Sequence, residues 1–185
     1  IKGTLPAAEP AAGLWESAKD AAELHMIVDL MRNDLGRVCE MGSVKVPCPR
    51  RIETHPTVHH GVGEIVGTLR QDISLVELLA ATFPAGSITG APKIRAMQII
   101  DELEPVRRGP YAGGIGCVSF GGDMDIAIAL RTIVIPAATP GPPWRYHLQA
   151  GAGVVLDSVP SKEYEETLNK AAALGRAIDL AEGSS

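Results

Sequence analysis

Absences narrow this chain first. It holds no stretch of about 18 uninterrupted apolar residues, and its amino terminus has no basic segment followed by an apolar run and a cleavage site. A soluble, cytoplasmic protein with no membrane contact is expected. The three cysteines, Cys39, Cys48 and Cys117, are odd in number and show no CxxC spacing. Neither a disulfide framework nor a zinc site is indicated, and reduced thiols are expected. Basic residues are not in excess either: 17 Lys and Arg stand against 22 Asp and Glu, for a net charge of -5 and a pI near 5.5. A nucleic-acid or anionic-membrane surface needs clustered cations to displace counterions, so neither partner is expected. Small anions held locally stay open. No Met precedes Ile1-Lys2-Gly3-Thr4, which reads like the interior of a motif, so the chain is expected to be part of a longer protein.

What is present suffices for one sizeable core. At 185 residues and 45% hydrophobic content, residues 1–185 are read as a single compact unit. The run from Glu16 to about Val38 is rich in helix formers and free of Pro, predicting a long helix with a break at Asn33 to Gly36. Ser43 to Val46 and Thr57 to Leu69 read as strands separated by a Pro-rich turn. Ser74 to Phe83 is a short helix in which Ser74 and Glu77 form a capping box. Pro84 to Lys93 is a Gly-rich loop feeding a helix from about Ala91 to Leu103, with Pro92 near its first position. Gly113 to Phe120 and Asp125 to Ile135 read as a hairpin, Arg145 to Val155 as a strand containing Ala150-Gly151-Ala152-Gly153, and Pro160 to about Leu180 as a helix started by Ser158 and Pro160. Helices interspersed with hairpins suggest an α+β layered fold.

Several charges sit in apolar company. Glu23 lies within Ala21-Ala22-Glu23-Leu24-His25-Met26-Ile27-Val28, with Asp20 one turn earlier. A carboxylate buried there must be paired, protonated or bound to a metal, and a salt bridge competes evenly with a ligand role. Glu163 and Glu166 repeat the i, i+3 spacing on the last helix, and Lys170 follows Glu166 at i+4, as an ordinary solvated face also would. Two acidic helical turns together suit magnesium, which takes hard oxygen ligands and leaves room for waters and a substrate anion. The loop Gly86-Ser87-Ile88-Thr89-Gly90-Ala91-Pro92-Lys93 lacks Walker spacing, so nucleotide binding is not expected, though Gly-rich backbone entering a helix suits a carboxylate. His59 and His60 are adjacent on a strand and point to opposite faces, which disfavours a zinc cluster with His55 and leaves His60 as a proton carrier or hydrogen-bond donor. Arg131, amid apolar neighbours, is a natural fork for a carboxylate, be it substrate or protein.

Read in order, IKGT, AELHMIVDLMRNDLGRV, the His60 region, PAGSITGAPKIRAMQIIDELEP, RRGPYAGGIG, DIAIALRT, QAGAG and DSVPSKEYEETLNKA resemble the successive motifs of the chorismate-binding enzymes, a family including anthranilate, aminodeoxychorismate, isochorismate and salicylate synthases. The resemblance covers essentially the whole chain, and GSITGAPKIRAM with RNDLGR is highly specific. It implies a layered α/β/β/α sandwich of the anthranilate and aminodeoxychorismate synthase type, of which the carboxy-terminal part is present. It also implies Mg2+ held directly by Glu23 and Glu166, with Asp20 and Glu163 supporting through water, although Glu is commoner than Asp at position 20. The ring carboxylate of chorismate would complete the metal shell near Thr4, Ser87 and the Gly151, Ala152 and Gly153 backbone. Tyr111 and Arg131 would hold the enolpyruvyl carboxylate, Lys170 would add positive charge, and His60 would sit by the reacting ring.

Lys2 points to one branch of that family. Aminodeoxychorismate synthases commonly carry PIKGT where anthranilate synthases carry PIAGT, and the lysine is thought to attack ring carbon 2 as the hydroxyl at carbon 4 departs. Ammonia then adds at carbon 4 and displaces it, giving 4-amino-4-deoxychorismate for folate and p-aminobenzoate synthesis, with a glutamine amidotransferase subunit or fused domain as partner. Such a lysine must be desolvated or lie near another cation to be nucleophilic. The alternatives are an anthranilate, isochorismate or salicylate synthase, and a segment inactive without the rest of the fold.

Overall fold

The computed structural model describes residues 4–56, 58–136, 145–156 and 158–183. Packing divides the chain into two compact units, 1–102 and 103–185, a finer division than the single unit read from chain length. Helices and antiparallel sheets share both, so the α+β class holds. Among the described residues no helix is long and apolar enough to cross a membrane.

The first unit places β1 (Thr4–Pro6), α1 (Ala11–Glu16), α2 (Ala18–Gly36), β2 (Lys45–Thr54), β3 (Val58–Val66), α3 (Leu75–Thr82), α4 (Gly86–Thr89) and α5 (Lys93–Leu103, its last residue opening the second unit). Its sheet runs β1-β3-β2, all antiparallel, with β3 central. A strand ending at Val46 followed by a Pro-rich turn is expected, yet β2 continues to Thr54 through Pro47 and Pro49. The reason is its place at the sheet edge: proline lacks an N–H, which an edge strand can tolerate, and the register slips between Lys45 and Cys48 and again between Cys48 and Arg51.

Helix α2 starts where Ser17 Oγ accepts from the Asp20 N–H at 3.2 Å, with Asp20 in the first turn where a carboxylate suits the helix dipole. The expected break at Asn33 to Gly36 is absent: the helix is continuous to Gly36. Weak local propensity is overridden there by tertiary contacts, since Leu35 packs against Val38, Cys39 and Ala81 and Asp34 is bound by a lysine. Leu24 and Val28 lie over Gly63 of β3, and Leu24 is only 1% exposed. Burying such a side chain fully is worth roughly 1.5–3 kcal/mol. The capping box of α3 forms as read: Glu77 N–H donates to Ser74 Oγ at 3.3 Å and Ser74 N–H donates to Glu77 Oε2 at 2.8 Å.

The second unit holds β4 (Gly114–Val118), β5 (Met124–Ile128), β6 (Ile133–Val134), β7 (His147–Leu148) and α6 (Pro160–Ala181). The hairpin pairs β4 with β5 as expected, but β5 ends at Ile128 and Arg131 lies beyond it, in the left-handed region at φ 49°. That residue interrupts what reads as one strand, and β6 pairs instead with the short β7. Residues 150–153 are correspondingly not in a strand. Ser158 does not cap α6; its Oγ donates to Glu163 Oε1 at 2.9 Å and accepts from the Val155 N–H at 3.0 Å, while Val159 takes the cap position ahead of Pro160.

Candidate active site

In the first unit the candidate residues lie on β1, α2, β3 and α4. Glu23 is buried, 8% exposed, with the Lys19 ammonium 3.9 Å from its Oε1; Asp20 is half-buried one turn earlier. His60 lies on β3, its backbone in register with Thr4 of β1 and Glu53 of β2, and its ring centroid is 5.4 Å from that of His55. His59 has a different job. It is 7% exposed, its Nε2 donates to the Glu9 carbonyl at 3.1 Å, and its Nδ1 lies 2.9 Å from the Thr54 hydroxyl. Both ring nitrogens are thereby engaged in holding β2 and β3 to the segment before α1. Ser87 is exposed on α4. Lys2 lies outside the described residues, and for Thr4 only the backbone is described.

The second unit brings four other candidates together. Lys170 reaches back 19 residues, its Nζ donating to the Gly151 carbonyl at 3.0 Å while lying 2.6 Å from Glu166 Oε1. In a trans peptide the carbonyl and the next N–H point in opposite directions, so this bond also aims the Ala152 N–H away from the lysine. Gly151 is constrained from its other side: a Cβ there would sit 2.9 Å from the Tyr111 hydroxyl. Tyr111, Gly151, Lys170 and Glu166 therefore form one linked cluster. Tyr111 precedes the hairpin and Arg131 follows it, and because Ala112 N–H donates to the Ala129 carbonyl at 2.9 Å, both flank the hairpin's open end. Arg131 itself is exposed. The hairpin's open end thus carries a phenol and a guanidinium-bearing residue, two groups that suit a carboxylate, and the phenol adjoins the Gly151 backbone.

Sequence reading missed the residue that frames Tyr111. Arg108 lies over its ring, 5.8 Å from the centroid, and is itself held by Glu104 through bonds of 2.6 and 2.9 Å. Burial pushes the Tyr111 phenol above its ordinary range, the Arg108 charge opposing part of that rise. Hydrogen bonding to Arg108 holds the Glu104 carboxyl below its ordinary range. RRGPY carries a hint, an Arg three residues before an aromatic, but only folding stacks them. Missed as well is the ion pair of Asp34 with Lys93, at 2.6 Å.

Each unit presents two acidic residues on one helix, Asp20 with Glu23 and Glu163 with Glu166. As donors they suit a hard divalent cation. Among the described residues, however, no three His, Cys, Asp or Glu are grouped closely enough to hold a metal. Glu166 is bound by Lys170 and Glu163 by Ser158. The surface hollow lined by Gly42, Ser43, Lys45, Val66, Gly67 and Thr68 contains none of the candidates.

Comparison with known proteins adds a family. Residues 1–176 match the family model described as chorismate binding enzyme, a span that takes in every candidate residue. Among curated relatives, the chain is 53% identical over 171 residues to anthranilate synthase component 1 of Aquifex aeolicus, covering 92% of this chain and 33% of that protein. It is 50% identical over 183 residues to the chloroplastic anthranilate synthase alpha subunit 1 of Arabidopsis thaliana, covering 92% of this chain and 31% of the relative. Among solved structures, anthranilate synthase component I from Streptococcus pneumoniae superposes with a TM-score of 0.76 at 45% identity, covering 87% of this chain and 36% of that one. The menaquinone-specific isochorismate synthase of Escherichia coli superposes with a TM-score of 0.78 at 26% identity, covering 94% and 40%. The chain spans about a third of the length of the curated relatives it matches.

Proposed function

Because this chain belongs to the family of chorismate binding enzymes, we propose that the full-length protein it represents aminates chorismate in the manner of an anthranilate synthase component I. The carrying observation is the 53% identity to the Aquifex aeolicus anthranilate synthase component 1 across 92% of the chain. It reverses the ranking drawn from Lys2 alone, since a single residue weighs less than agreement along the chain. The Tyr111–Gly151–Lys170–Glu166 cluster supports an anionic substrate.

In this reading Tyr111 donates its hydroxyl proton, and Arg131 its guanidinium N–H groups, to the enolpyruvyl carboxylate. Burial keeps the phenol protonated and thus able to donate. Lys170 holds the Gly151 carbonyl, leaving the 151–153 backbone N–H groups for the ring carboxylate, and Ser87 adds a hydroxyl there. His60 is the proton carrier beside the ring. Glu23 and Glu166 would hold Mg2+, with Asp20 and Glu163 behind them; bound there, the ion would supply positive charge that draws electrons from the ring as its hydroxyl leaves. Ammonia would come from a glutamine amidotransferase.

A second reading is favoured by one residue. Lys2 in Ile1-Lys2-Gly3-Thr4 supports aminodeoxychorismate synthesis through a covalent lysine. Product analysis of the full-length protein with chorismate, magnesium and ammonium separates the two. Anthranilate as product, formed undiminished by Lys2→Ala, supports the first. Aminodeoxychorismate, lost in Lys2→Ala, replaces it with the second, and neither product refutes both.

A further inference from the structure

Asp34 and Lys93 form a largely buried ion pair that the proposed reaction does not use. Their side chains are 5% and 17% exposed, with Nζ 2.6 Å from Oδ2. An ion pair taken out of water gains little over apolar packing, because desolvation offsets most of the attraction, so stability alone is a weak account of it. What such a pair supplies is direction. Glu23, Ile27, Leu30 and Asp34 follow at i, i+4, i+7 and i+11 and so share one stripe of α2. At about 1.5 Å per residue, Glu23 and Asp34 stand roughly 16 Å apart along it.

The loop carrying Ser87 is attached to that stripe at two points. Leu30 packs on Gly86 so closely that a Cβ there would lie 2.9 Å from the leucine side chain. Three residues beyond Gly90, Lys93 opens α5 and binds Asp34. Between the anchors Ser87 remains exposed on a turn closed by Gly90 N–H donating to the Gly86 carbonyl at 2.9 Å.

We propose that Asp34 and Lys93 are positioning residues whose ion pair fixes where Ser87 is presented along the helix that carries Glu23. The proposal rests on the reading of chorismate as substrate with Ser87 at its ring carboxylate. The test is a double-mutant cycle on kcat/KM for chorismate in the full-length protein, pairing D34N/K93Q with S87A. The double variant strands no buried charge. D34E, which keeps the pair but shifts its contact by one methylene, runs alongside and decides alone if D34N/K93Q does not melt cooperatively.

With Ser87 present, D34N/K93Q is expected to lower kcat/KM about tenfold, mostly through KM, and D34E less, since a displacement of an ångström at a binding group is costly. In the S87A background neither should lower it further. Equal fold-losses in both backgrounds, or no loss with Ser87 present, would overturn the proposal. Failure of the unaltered protein to convert chorismate would instead refute the functional reading, and this proposal with it, before the cycle begins.

Discussion

Tyr111 and Gly151 share a space that admits no extra methyl group. The phenol cannot retreat cheaply, because it is half-buried and roofed by Arg108. Gly151→Ala is therefore expected to displace the hydroxyl and, on the proposed chorismate reaction, to raise the KM of the full-length protein about tenfold with a smaller change in kcat, checked by steady-state kinetics. The same tyrosine predicts an alkaline signature. Burial raises its pKa in the folded state above the ordinary 10.0. A group raised on folding contributes stability that is fully present below its unfolded pKa and is lost as pH rises through the folded one. Thermal midpoints of the protein should fall as pH climbs past about 10, and Tyr111→Phe should flatten that limb. An unchanged limb would mean that the phenol is not buried in solution. Tyr111 was legible as a candidate from sequence; Arg108 and Glu104, which set its properties, were not, because stacking across a turn leaves no periodic trace.

Among the elements, α3 is the one whose boundary chemistry reads straight from sequence, since Ser74 and Glu77 interact within a single turn. Hydrogen bonds from Ser74 hold the Glu77 carboxyl below its ordinary 4.5. A depressed carboxylate contributes stability above its unfolded pKa that is lost as pH falls through the folded value. Ser74→Ala should lower the melting midpoint by roughly 2–4 °C at neutral pH, and by progressively less as pH falls below the ordinary 4.5 and through the depressed folded value, where the carboxylate half of the box is lost. A loss independent of pH would show that only the Ser74 hydroxyl to Glu77 N–H half matters. Strand β2 is the contrary case. Its two prolines read as a turn, and only its position at an edge of the sheet, set by β3, makes them admissible.

For the whole molecule, the acidic residues are divided: Asp20 and Glu23 belong to the first unit, Glu163 and Glu166 to the second. If they serve one ion, Glu23→Gln and Glu166→Gln should each weaken Mg2+ binding by at least about tenfold in calorimetry of the full-length protein. Chelation should stop turnover, and added Mg2+ should restore it. Weakening by only one of the two substitutions would rule out a shared ion.

By itself the sequence determined the family, the α+β content, the capping box and the list of candidate residues, because motifs and helix caps act over a few neighbouring positions. Tertiary structure decided which of those residues meet. Lys170 finds Gly151 19 residues away and Lys93 finds Asp34 59 residues away. Contacts closed over such lengths depend on how whole elements pack, and no local pattern encodes them.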